Sequence, residues 1–182
     1  MIRATRRTVI GGAALGVAAV STVSSLGGWR WRHGDERVLL YDGSLSAGQR
    51  FATAGEAHGV ASQAIEGDRV RFTRQLLENR PAMIAGVSRY ADAMMIEDIA
   101  NEANYQRVAL LQGRAASCTG QDCRSGWSAL GRVAQAADGE WVEALAEFAA
   151  KPAASFNHVL QQSLRVKPDA GLVLGWLLTP RG

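Results

Sequence analysis

The sequence predicts an α/β domain in three layers, with helices on both faces of a mainly parallel sheet. Three observations point there. Short apolar runs alternate with amphipathic stretches, the pattern of strands joined by crossover helices. Turn-forming residues stand at the junctions, as in Asp42-Gly43-Ser44, Glu66-Gly67-Asp68 and Asn79-Arg80-Pro81. Finally, 182 residues of which 47% are hydrophobic suffice for one domain with its own core.

The elements follow in order. Arg37-Val38-Leu39-Leu40-Tyr41 is a continuous apolar run closed by Asp42-Gly43-Ser44, and reads as the first strand. Residues 47–58 read as a helix ended by Gly59. Residues 60–65 form the second strand, and Val70, Phe72, Leu76 and Leu77 mark an amphipathic helix stopped before Pro81. The third unit repeats the form, with a strand over 82–86 and a helix over 89–104 whose Met95, Ile99 and Ala103 share a face. A fourth strand is predicted over 106–111. Beyond it, Trp127, Leu130 and Ala134 line one helical face, and Trp141, Leu145 and Phe148 line another. The run Leu172-Val173-Leu174-Gly175-Trp176-Leu177-Leu178 is too short to span a bilayer and reads as a buried last strand. Residues 156–164 are assigned as its antiparallel hairpin partner, through the turn Lys167-Pro168-Asp169-Ala170-Gly171.

This succession resembles the first half of a Rossmann-like or flavodoxin-like sheet. The resemblance implies that ligands bind outside the carboxyl ends of the strands, near the point where strand order reverses. The candidates there are Asp42 and Ser44 after the first strand, Glu66 and Asp68 after the second, and Ser88 and Arg89 after the third. A guanidinium at Arg89 would suit a carboxylate or phosphate. The same residue types also cap helices and build turns, which is the competing explanation for each.

The N-terminus carries an address. Thr5-Arg6-Arg7-Thr8-Val9-Ile10 precedes an uncharged stretch of Gly, Ala, Ser and Val reaching Leu26. It resembles the twin-arginine (Tat) signal of bacteria, with Arg6 and Arg7 as the pair that the translocon reads. The resemblance implies export to the periplasm. Residues 1–25 are assigned as the signal with cleavage after Ser25, residues 26–36 as a tether, and 37–182 as the domain. The alternative keeps the segment as a membrane anchor, since about 20 apolar residues can span a bilayer and Trp29 and Trp31 suit its interface.

Charge follows from that assignment. The chain has 20 basic and 17 acidic side chains. Arg3, Arg6 and Arg7 leave with the signal while every acidic residue stays, so the remaining domain is neutral. Nucleic-acid binding, which needs clustered basic residues on one face, is thereby disfavoured. Cys118 and Cys123 lie in the polar sequence Cys-Thr-Gly-Gln-Asp-Cys, and an oxidising compartment allows them to form a disulfide. No nearby His or Cys supplies the further ligands that zinc requires, so no metal is assigned.

Named catalytic motifs fail in part. No Gly-x-Gly-x-x-Gly follows the first strand, and Gln49-Arg50 stands where a P-loop needs Lys-Ser/Thr; no cofactor is assigned. Asp42-Gly43-Ser44-Leu45-Ser46-Ala47-Gly48 resembles the Gly-Asp-Ser-Leu-Ser-x-Gly block of SGNH (GDSL) esterases, with its first two residues inverted. That resemblance implies Ser44 as nucleophile. The family's late Asp-x-x-His and its Gly-x-Asn-Asp are both missing, which leaves His158 as the available base. Gly86-Val87-Ser88-Arg89-Tyr90 stands where a nucleophile elbow would, without its second glycine.

Two expectations remain. The first is an exported, non-catalytic accessory or ligand-binding domain, such as a subunit of a periplasmic redox complex, supported by the neutral charge and the apolar Trp127, Trp141 and Trp176. The alternative is a small serine hydrolase using Ser44 or Ser88.

Overall fold

The computed structural model describes residues 34–112, 140–151 and 169–181. The segment expected as an Arg6-Arg7 signal, its expected cleavage point, most of the expected tether, Cys118 and Cys123, the helix expected over 127–134, the strand expected over 156–164 and His158 all lie outside the described residues.

Five strands and four helices are present among them: β1 (Arg37–Tyr41), α1 (Ser46–Ala57), β2 (Ser62–Ala64), α2 (Arg69–Glu78), β3 (Met83–Arg89), α3 (Tyr90–Glu102), β4 (Tyr105–Gln112), α4 (Trp141–Ala150) and β5 (Val173–Pro180). The sheet order is β2-β1-β3-β5-β4. β1 runs parallel to both β2 and β3. β5 enters antiparallel between β3 and β4, with Gly86 facing Trp176 on one side and Leu110 facing Trp176 on the other. The protein is therefore α/β with a mixed sheet.

Strand alternation sorts the core into two clusters. Leu39, Met83, Ala85 and Val87 join Phe51 of α1 and Trp141, Leu145 and Phe148 of α4. Leu40 and Ile84 join Leu76 and Leu77 of α2 and Ile96, Ile99 and Ala100 of α3. Both faces of the central strands are buried, so β1 and β3 read as unbroken apolar runs rather than alternating ones. Arg50 of α1 grips Glu143 of α4 through two hydrogen bonds of 2.6 Å. The guanidinium of Arg37 also donates to the Ala150 carbonyl, fixing the far end of α4 on β1.

Two sequence expectations need correction. The last strand pairs antiparallel with β3 and with β4, whereas the hairpin partner expected from 156–164 lies outside the described residues. A local turn signal cannot reveal pairing with strands about 60 to 90 residues away, because loop-closure entropy grows only slowly with length. β2 is three residues long, not six. β3 extends to Arg89, so Ser88 and Arg89 belong to the strand and not to a turn after it. Continuing the ladder there is favoured by β5, whose Leu174 and Val173 face Ser88 and Arg89.

Candidate functional site

In the order β2-β1-β3, the connection after β1 leads to one side and the connection after β3 to the other, so the crevice between the carboxyl ends of β1 and β3 is the topological switch point. Asp42, Ser44 and Arg89 converge there. The chain leaves β1 in a tight turn, held by the Asp42 amide on the Val87 carbonyl at 3.0 Å and the Leu45 amide on the Asp42 carbonyl at 3.1 Å. Asp42 Oδ1 accepts from the Ser44 amide at 2.9 Å and from the Ser44 hydroxyl at 2.6 Å. Its other oxygen, Oδ2, lies 3.5 Å from Arg89 Nε; the carboxylate side chain is only 13% exposed and the guanidinium side chain 48%.

The start of α1 completes this corner. Its N-cap position is Leu45, which has no side chain able to cap. The amides of Ser46 and Ala47 instead donate to the two oxygens of Asp169, at 2.7 and 2.8 Å. A carboxylate at a helix N-terminus satisfies amides that lack intrahelical partners and favourably meets the helix dipole. In many α/β proteins a ligand anion takes that position; here the protein's own side chain does. The neighbouring Ala170 carbonyl accepts from Arg89 Nη1 at 3.4 Å. Gly48 is required because a Cβ there would lie 2.2 Å from the Asp42 carbonyl oxygen. The glycine spacing of the 43–48 segment thus reflects close packing of α1 on the turn.

The other candidates separate from this corner. Asp68 is the N-cap of α2, its Oδ1 accepting from the Val70 and Arg71 amides at 2.9 and 3.1 Å. Glu66 is exposed at the end of β2. Ser88 is fully buried. Its hydroxyl donates to the Arg89 carbonyl at 3.1 Å and accepts from Trp176 Nε1 at 3.0 Å. An elbow serine must stand exposed above the sheet; this one is inside it, serving the indole. Trp176 lies over Gly86, where a Cβ would fall 2.2 Å from the ring.

Sequence reasoning missed Asp169, Gly48 and Trp176 as parts of this region. One signal for Asp169 was available: α1 begins without a capping residue at Leu45, so its amides needed an acceptor from elsewhere. Among the described residues no group of three or more His, Cys, Asp or Glu side chains is placed to hold a metal ion, and no helix is long and apolar enough to cross a membrane. Comparison with protein-family models, with curated proteins and with solved structures finds no match to this chain.

Proposed function

We propose that this chain is an exported α/β accessory or ligand-binding domain with no catalytic centre of its own, working in the periplasm and suited to a subunit of a redox complex. One observation carries the non-catalytic part. At the switch point, the polar groups that a substrate would need are already engaged by the chain itself: Asp42 by Ser44 and Arg89, and the α1 amides by Asp169. The export part rests on the Arg6-Arg7 segment, and removal of residues 1–25 or their retention as an anchor is part of the same proposal. The two core clusters on opposite sides of the sheet support a three-layer, Rossmann-like arrangement.

The hydrolase alternative draws on Ser44, whose hydroxyl is exposed and hydrogen-bonded to a carboxylate. That hydroxyl is engaged within the turn after β1, and the imidazole that this reading needs, His158, lies outside the described residues. The test is affinity purification of the C-terminally tagged protein from its native periplasm and membranes, with intact-mass spectrometry. A stoichiometric partner, above all one bearing a redox cofactor, supports the accessory role. A solitary processed monomer overturns it and returns attention to the crevice at Asp42, Ser44 and Arg89.

A further inference from the structure

We infer that residues 169–181 act as one two-state strap: seated, it closes the sheet and caps α1; released, it opens both together. The strap has no independent halves, because its attachments are spread along its whole length. At one end Asp169 holds the Ser46 and Ala47 amides and Ala170 receives Arg89. In the middle, Trp176 fills the space above Gly86 and donates to Ser88. Gly175 passes beneath α4, where a Cβ would come 2.5 Å from Trp141 and 2.9 Å from Leu145. At the far end the Arg181 amide donates to the Asn104 carbonyl at 2.8 Å, and its guanidinium to Asn101 Oδ1 at 3.1 Å.

Strand order makes the release cooperative. β3 and β4 are consecutive in the chain but do not pair with each other; β5 lies between them. Among the described residues β4 has no other strand partner, so it cannot stay in the sheet once β5 leaves. Residues 173–179 are all buried, and a strand buried on both faces cannot slip by one residue without exchanging its two sets of side chains. β1, β2 and their α1 and α2 crossovers make no ladder contact with β5. β3 and β5 share a ladder from 84–89 to 173–178, and opening along it releases β5, β4 and the α1 cap as one cooperative unit. Opening would free the α1 amides and Arg89 at the switch point, so occupancy of the crevice and seating of β5 are coupled.

The coupling is reciprocal by linkage, and that is the test. Native-state hydrogen exchange is followed on the full chain and on two variants that act at opposite ends of the strap. Asp169→Asn removes one acceptor at the α1 end, and Gly86→Ala pushes on the Trp176 ring. Expected for both variants is faster exchange of both sets of amides, Ser46 and Ala47 on one side and β4 with β5 on the other. The acceleration is about tenfold for Gly86→Ala, as overpacking of this kind implies, and several-fold for Asp169→Asn. Amides between β1 and β2 should change less than about twofold. If Gly86→Ala does not fold, Ser88→Ala perturbs the same indole from its other side. Acceleration confined to each variant's own end overturns the strap, and so does equal acceleration of every strand including β1 and β2.

Discussion

Replacing Ser88 by alanine tests whether this serine is a packing partner or a nucleophile. Trp176 is 2% exposed and its Nε1 donates to the Ser88 hydroxyl at 3.0 Å. Alanine fills nearly the same volume, so no large cavity forms, but the indole N–H is left buried without an acceptor. Stranding a buried donor costs about 1–3 kcal/mol, and the middle of that range lowers Tm by roughly 4–8 °C for a domain of this size. Urea titration with tryptophan fluorescence measures it, at unchanged denaturant slope. Trp176→Phe removes the donor, so Ser88→Ala placed in that background should be milder by about 1 kcal/mol, a coupling that a double-mutant cycle isolates. A Ser88→Ala protein within about 0.5 kcal/mol of the parent would refute the packing account. Loss of an ester-hydrolysing turnover with unchanged stability would favour the nucleophile.

Tyr105 gives an alkaline dependence: it is 4% exposed, its hydroxyl donates to the Pro81 carbonyl at 2.7 Å, and burial, with help from Glu36 and against Arg80, pushes its pKa up from 10.0 to about 12. The folded state thus favours the protonated phenol, so its contribution is complete below pH 10 and is lost as pH rises through about 12, on the order of 2 kcal/mol in all. Tyr105→Phe should therefore be less stable at neutral pH but flatter across that window, measured by unfolding at fixed pH steps; parallel curves for the two proteins would refute this. For Arg50 and Glu143, which are 28% and 31% exposed, a double-mutant cycle should return no more than about 1 kcal/mol despite the two short bonds, since partial solvation screens the pair. Asp68→Ala should lower stability by about 1 kcal/mol through loss of the α2 cap, with far-ultraviolet dichroism and urea midpoint as readouts. Ser44→Ala should leave any ester turnover of the purified protein unchanged, because its hydroxyl is engaged in holding the Asp42 turn; abolition of turnover would reinstate the hydrolase.

Local physical chemistry made much of the architecture legible. The apolar run from Val38 to Tyr41, followed by Asp42-Gly43, could only be a buried strand leading into a turn, and β1 stands there. Asp68 ahead of an amphipathic stretch, with Pro81 beyond it, bounded α2 correctly because caps and proline act within a few residues. Strand lengths were less legible. Gly86 looked like the end of β3, since glycine weakens strands, yet the strand continues because Trp176 needs the missing Cβ. The sequence placed Asp42 and Ser44 in the turn after β1, where they stand, whereas it placed Ser88 outside the strand that buries it.

The sequence by itself determined the α/β class, the order of the elements from β1 to β4 and the corner where Asp42 meets α1, all of which depend on neighbours a few positions apart. Tertiary structure alone decided the mixed sheet, the insertion of β5 between β3 and β4, and the capping of α1 by Asp169, more than a hundred residues away. The physical reason is range. Periodicity, caps and turns act over one helical turn or one strand, while the choice of strand partner is made by side-chain fit, such as Trp176 over Gly86 beneath a waiting hydroxyl, and that fit has no signature until both surfaces exist.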